Sequence, residues 1–539
     1  MKIQLILALA SSLFFCDICH AADVTVKFNG KKATVKQEVK DSVSVSVEGT
    51  HVNIVSTYQA HKLTVRLTGK SDDGQLILKT DGKAKVKLDH LNLTSQEGAP
   101  LWLKNKKNVE LVAVDGTENT LCITACNDTV NHKAAVIWAK DKVKLSGKGV
   151  LNVLAKGDGC KGIRSKDDIT IEELTLNVET TGNNLGEKAN PFGGGGGMPP
   201  FSFDNISEED KARFEEMRKN FEEMMQNGGG FPMMGGFGNP LERNDSTRQG
   251  GFGGFPMMGG FGNPLERNDS TRQGGFGGFP MGGFGAPPMG DGEEGGMPFG
   301  KHKYNGTTKG IKSQKKVIVN SGTVTVTTSS PGAEGIEGKE GVLLNGGKVN
   351  VTAVDDAINA NARIEFNGAD VIARSTNNDA VDANLVDFFA GGFGGFFGGG
   401  GQNQNNDPAI IITGGTVYAW SQVGAPEEGL DCDFSPIEIS GGRVFSVGAG
   451  MGEMPSVPTN ELAKQATALL IGIDIVQDEP VFVYDSTEKL IDTITVPFSL
   501  KRSSSIISSP QFKTGNTYTV KTKGYERTFT LNENFTIVR

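Results

Sequence analysis

Histidine and cysteine are scarce in this chain, six of each in 539 residues. The histidines are scattered, and no cysteines are spaced as a zinc site requires. Cys16 and Cys19 fall in the N-terminal apolar run, which leaves Cys122, Cys126, Cys160 and Cys432. Cys122 and Cys126, in CITAC, are near enough to close a small loop disulfide in an oxidising compartment. Cys160 and Cys432 lie several repeats apart, beyond the roughly 7 Å a disulfide can span. An excess of positive charge is missing too. Lysine and arginine total 54 against 63 aspartates and glutamates, a net charge of −9, which gives no reason to expect nucleic acid as a partner. After residue 21 no apolar run is long enough to cross a bilayer.

The one apolar run of note stands at the start. Met1 to Ala21 has a basic beginning, an apolar stretch from Ile3 to Phe15 and a small residue at Ala21, which is how a secretory signal peptide is written. It is too short for a membrane anchor, and no small-residue lipobox precedes Cys16 or Cys19. The mature protein is therefore expected to be exported and either secreted, periplasmic or held at the cell surface by binding. Glycine, by contrast, is abundant at 74 residues, far above its usual share of about 7%, while strands rich in Val, Ile and Thr supply material for a core.

Glu334 to Ala383 writes one short pattern three times: EGIEGKEGVLLNGGKVNVTAV, DAINANARIEFNGADVIARS and DAVDAN. The anchoring apolar residues Ile336, Ile358 and Val381 are separated by 22 and 23 residues, a period that marks stacked-repeat architectures. Inside each unit apolar residues alternate, so the local element is strand. The unit extends outward in both directions and yields three apolar columns. The first is Ile163, Ile311, Ile336, Ile358, Val381 and Leu430; the second is Ile171, Val319, Leu344, Phe366, Ile412 and Ile439; the third is Leu176, Val324, Val349, Val371, Val417 and Val444. A glycine just before the third column (Gly322, Gly347, Gly415, Gly442) predicts a tight corner with an unusual backbone conformation. A chain that turns corners at this period and offers an inward ladder at each strand predicts an all-β, right-handed parallel β-helix, in which no single coil can bury its face alone.

The repeat covers residues 22–450 by this reading, with anchors at Leu101 and Ile137 in its less regular early part and the first strands closing its exposed end. It is broken at 187–303 by an insertion rich in Gly, Phe, Met and Pro that contains two identical units, FPMMGGFGNPLERNDSTRQGGFGG. Glycine that dense is costly to order. Within it, Ser207 is a plausible N-cap, and Phe214, Met217, Phe221 and Met224 lie at helical spacing, so one amphipathic helix is expected. A second Gly/Phe break spans 388–406. Both are read either as passive linkers or as sticky elements for self-association. Residues 451–539 read as further strands, a C-terminal β cap or appendage.

Beside the anchor column stand side chains of changing chemistry. Just after it come Trp102, Trp138, Arg164, Lys312, Glu337, Asn359, Asp382 and Asp431; two residues before it come Lys161, Lys309, Glu334, Asp356, Asp379 and Glu428. Stacked at about 4.8 Å per coil, these form two neighbouring stripes, aromatic, then basic, then acidic. Both face outward only if the chain bends between them. Carboxylates that close repel unless protonated or bridged, and calcium takes six to eight oxygens at about 2.3–2.6 Å. Glu334, Glu337, Asp355, Asp356, Asn359, Asp379, Asp382 and Asp431 are the candidate ligands, with Glu428 and Asp431 at the margin; the alternative is an Asp and Asn ladder satisfying corner amides. Lys161, Arg164, Lys309 and Lys312 would meet the carboxylates of an acidic polymer, and Trp102 and Trp138 would offer flat faces to sugar rings or pack under a loop.

The units GDGCKGIRSKDDITIEELTLNVET, TTKGIKSQKKVIVNSGTVTVTT, DDAINANARIEFNGADVIA and ITGGTVYAWSQ resemble the secreted bacterial carbohydrate-binding β-helix proteins of the clostridial cellulose- and pectin-binding type. The resemblance spans roughly residues 75 to 450. It implies a right-handed parallel β-helix with bound calcium and affinity for polygalacturonate-like or cellulosic glycans, similar in architecture to calcium-dependent pectate lyases. The leading expectation is a noncatalytic, calcium-stabilised polysaccharide-binding protein. A calcium-dependent lyase with Lys161, Arg164, Lys309 or Lys312 as base and a structural surface or matrix protein are the alternatives.

Overall fold

A computed structural model of the protein describes residues 23–59, 61–125, 134–184, 307–385, 407–424, 426–432, 435–448 and 456–539. The expected signal peptide, the helix from Ser207, the insertions at 187–303 and 388–406, and Cys126 lie outside the described residues. The chain divides into two units, residues 1–196 with 303–539 and residues 197–302, and the described residues all belong to the first. Among them the chain is all-β, with 36 strands and no helix. No described helix is long and apolar enough to cross a membrane.

Strands stack coil upon coil. A first row of short strands runs through Gln75–Thr80, Leu101–Asn105, Ala135–Ala139, Lys161–Ser165, Lys309–Ser313, Glu334–Gly338, Ile358–Ala360, Val381–Ala383 and Leu430–Asp431, each parallel to the next. A second row contains Val109–Ala113, Val143–Ser146, Ile169–Ile171, Lys316–Val319 and Gly341–Leu344. A third contains Val150–Ala155, Thr175–Thr180, Thr323–Thr328 and Lys348–Ala353. The longer strands Ile364–Ser375 and Ile410–Ser421 serve the second and third rows in succession. Ile163 pairs directly with Ile311, so the stack continues in register across the first insertion.

The apolar columns of the sequence are the core. The first, second and third columns are all 2% exposed or less and belong to one continuous cluster; burying each such side chain contributes about 1.5–3 kcal/mol. Gly322, Gly347, Gly415 and Gly442 all adopt positive φ, from 78° to 95°, which explains glycine there. A Cβ on Gly415 would stand 2.1 Å from the Ala369 carbonyl oxygen, so close coil stacking forbids one in any case.

The two ends differ from the middle. At the start, Val24–Asn29 pairs antiparallel with Lys32–Gln37, and Val43–Glu48 pairs antiparallel with His51–Ser56. At the far end, Arg443–Val447 pairs antiparallel with Leu500–Ser508, which joins Thr467–Ile475. A four-stranded antiparallel sheet follows, built from Pro480–Asp485, Leu490–Thr495, Thr517–Lys521 and Glu526–Thr530. Its core is a separate cluster that also takes in Trp420, Phe445 and Val447 from the last coils.

One cysteine expectation is corrected. Cys122 is a free, buried thiol, whereas Cys160 is disulfide-bonded. Spacing in CITAC had favoured Cys122, but its side chain is turned under the coil surface, 6% exposed.

Candidate functional site

The first row carries both stripes in the register the sequence suggests. Trp102, Trp138, Arg164, Lys312, Glu337, Asn359, Asp382 and Asp431 are successive strand partners. Ala135 pairs with Lys161 and Lys309 with Glu334. Asp356, Asp379 and Glu428 continue that second column through their carbonyls, which accept from Gly335, Ala357 and Ala380.

The bend that lets both columns leave the core is visible at the residue between them. A Cβ on Gly162 would meet the Val178 side chain at 2.4 Å and the Gly310 carbonyl oxygen at 2.6 Å. Gly162 and Ile163 therefore both face inward, and Lys161 and Arg164 flank them on the outer wall. Val136 with Ile137, Ala357 with Ile358 and Ala380 with Val381 repeat this double inward step. Ala135 and Trp138 sit instead in a separate outer cluster with Ala99 and Trp102.

The outer wall is nevertheless not open. Lys161, Arg164, Lys309, Lys312, Glu334, Glu337, Asp356, Asn359, Asp379 and Glu428 are all buried, while Asp355, Asp382 and Asp431 are half-buried. Trp138 is buried with its ring edge-to-face on Trp102, centroids 6.0 Å apart at 87°. One face of Trp102 carries the Lys104 ammonium at 3.7 Å. The flat aromatic faces expected for sugar are thus used within the protein, as apolar rings that close to one another prefer.

Where basic meets acidic, the columns pair. Lys309 Nζ lies 2.7 Å from Glu334 Oε2 and 2.5 Å from Glu337 Oε2. Lys312 Nζ stands 3.4 Å from the same Glu337 oxygen, which is held by charge and not by an aligned hydrogen bond. Burial disfavours charge on Lys309, but Glu334 and Glu337 overcome it and hold its pKa above that of free lysine. Burial likewise pushes Glu337 up, and Lys309 and Lys312 bring it down to about 2.

Further along, amides take over the pairing. Asn359 Nδ2 donates to Asp356 Oδ2 at 2.8 Å and to Asp382 Oδ2 at 3.0 Å. Asn378 Nδ2 donates to Asp355 Oδ1 and Asp356 Oδ1, both at 2.7 Å. The Glu428 backbone amide donates to Asp379, and Ser456 donates to Glu428 and Asp431. Asn378 and Ser456 were not anticipated. The NND run just before the Val381 anchor was the available signal for Asn378; Ser456 has none, since it arrives from beyond the repeat.

Amides do not neutralise charge. Asp356 and Asp379 make no ion pair among the described residues, and burial with repulsion from neighbouring acids raises both well above ordinary carboxyls. For Asp356 the neighbours are Asp382, Asp355, Glu334 and Asp379; for Asp379 Asp431 leads. Glu334, Asp355 and Asp356 each place an oxygen within 4.8 Å of the others. Oxygens bound to one calcium at about 2.3–2.6 Å can lie up to about 5 Å apart, and these three are spaced within that limit, with Lys309 also engaging Glu334.

Comparison with known proteins adds a direction. A family described as "Carbohydrate-binding domain-containing protein" matches residues 41–190 and 296–383, which is less than half of the chain. A curated protein of Acetivibrio thermocellus with the same description is 25% identical over 163 residues, 29% of this chain and 54% of that protein. The chain thus spans about half the length of that relative. A solved structure described as a polysaccharide lyase-like protein from C. thermocellum, gadolinium derivative, aligns over 65% of this chain and 90% of its own at 16% identity. Its TM-score is 0.37, and no argument is drawn from it. Over residues 41–190 and 296–383 the chain is therefore similar to carbohydrate-binding domain proteins.

Proposed function

We propose that the protein is an exported polysaccharide-binding protein built on a right-handed parallel β-helix and stabilised by calcium, with acidic, polygalacturonate-like glycans ahead of cellulosic ones. The observation that carries it is the similarity of residues 41–190 and 296–383 to carbohydrate-binding domain proteins, while the buried charged row serves the stack itself. The disulfide at Cys160 supports an oxidising destination.

Calcium would offset the repulsion that raises Asp356. Glu334, Asp355 and Asp356 would hold it, with Asp382 next along the column; Lys309 already engages Glu334, and Glu337 is the weakest of the expected ligands because two lysines engage it. When bound, the ion supplies positive charge that keeps those carboxylates ionised. The melting temperature is expected to rise with calcium and fall with chelator. An unchanged melting temperature sinks the metal proposal.

The lyase alternative asks a lysine of the row to surrender a proton. Lys309, held charged between two glutamates, is badly placed for that role. Incubation with polygalacturonate and calcium should therefore give binding, seen as retarded migration in a polysaccharide-containing gel, without the absorbance of unsaturated products. A calcium-dependent rise in that absorbance restores the lyase, and no retardation by any polysaccharide removes the binding function.

A further inference from the structure

The turns that join the first row to the second carry a seam of lysine. They read DGK at 81–83, KKN at 106–108, KDK at 140–142, KDD at 166–168 and QKK at 314–316. Backbone bonds stack them: Lys106 N donates to Thr80 O, Lys140 N to Leu103 O, Lys166 N to Ala139 O and Gln314 N to Ser165 O. Several lysines are spoken for. Lys106 pairs with Asp81 at 3.0 Å, Lys142 with Asp168 at 2.8 Å and Lys315 with Asp167 at 3.1 Å. Lys83, Lys107, Lys140, Lys166 and Lys316, each from a successive coil, are exposed and make no ion pair among the described residues.

The seam opens at its early end into a cleft of about 430 Å³ lined by Gln59, His61, Lys62, Asp81, Lys83 and Lys107. These turns hold eight lysines against four aspartates, on a chain whose net charge is −9. Lys140 and Lys166 occupy equivalent positions, whereas Lys316 aligns with Asp168 and Lys142 two positions on, and Lys83 aligns with Asn108 next to Lys107, so each coil offers one such ammonium within a band of neighbouring turn positions, coils being about 4.8 Å apart.

We infer that this lysine seam, and not the buried row, is the track on which an anionic polysaccharide lies, each carboxylate of the polymer meeting one coil's lysine and the cleft at His61 and Lys83 receiving its end. The inference rests on the polysaccharide-binding reading and locates it. Charge–charge contact along an exposed line is screened by salt, so affinity should fall as ionic strength rises.

The test is binding of polygalacturonate and of a neutral β-glucan to the full exported chain and to the triple variant Lys107→Gln, Lys140→Gln, Lys166→Gln, at low and raised salt. The variant is expected to keep the wild-type melting temperature, since these exposed side chains make no ion pair among the described residues, while its affinity for polygalacturonate weakens about tenfold or more and its salt dependence shrinks. Unchanged affinity in the variant overturns the seam and leaves the binding function standing. Wild-type protein that prefers the neutral glucan without responding to salt does the same. Wild-type protein that binds neither polymer overturns both.

Discussion

Lys309 shows how much one side chain settles. It sits between two buried glutamates on the next coil, 2.7 and 2.5 Å away, and its removal takes that cation from Glu334 and leaves Glu337 only Lys312 at 3.4 Å. Lys309→Met should cost about 3–5 kcal/mol in urea unfolding, and the further change Glu334→Leu should recover part of it; a near-neutral single variant contradicts the pairing. Glu110 supplies the pH-dependent case. Burial pushes its pKa up, but Lys62 and Lys85, with the Ser146 hydroxyl, bring it below that of a free glutamate. A depressed folded pKa contributes stability above the unfolded value, and that stability disappears as pH falls through the folded one. Glu110→Gln should therefore lose about 1 kcal/mol near neutral pH and nothing in strong acid. Equal losses at both ends would mean that packing, and not charge, is what Glu110 provides.

At the scale of the strand, glycine in KGIR, KGIK and EGIE is the hinge of the site. A Cβ on Gly310 would lie 2.3 Å from Val326 Cγ1 and 2.6 Å from the Gly335 carbonyl oxygen. Gly310→Ala should cost about 1–3 kcal/mol and disturb the Lys309 pairing with it, whereas Gly424→Ala, with nothing within 4 Å, should be neutral; similar melting temperatures for the two contradict the bend. These strands also show what a sequence displays and what it withholds. The apolar columns and the corner glycines were legible because period two and a backbone need for φ > 0 both leave marks on residue type. Register was legible for the same reason, down to Trp102 beside Trp138 and Glu337 beside Asn359. Burial of the charged row was not, because a column says which wall a side chain joins but not what covers that wall. The Lys309 to Glu334 pair was available, at a separation of 25 residues, once the basic and acidic stretches are read as neighbours and not as separate stripes. The seam went unread because its lysines fall in turns, where residue type follows no apolar period.

At the scale of the molecule, the cysteines and the ends of the stack set the remaining expectations. Unfolded without reductant, the chain should expose thiols at Cys122 and Cys432 and keep Cys160 protected, as read by alkylation and peptide mapping; labelling of Cys160 contradicts the disulfide. The antiparallel strands at the beginning carry a different consequence. Parallel coils are templates that another copy can extend, and a long run of them is the geometry from which fibres grow. Among the described residues one edge strand at that end, Lys32–Gln37, runs against its neighbour and alternates exposed positions that include Lys32 and Lys36. A second molecule arriving at that strand meets a reversed border that carries lysine, which disfavours parallel extension from it.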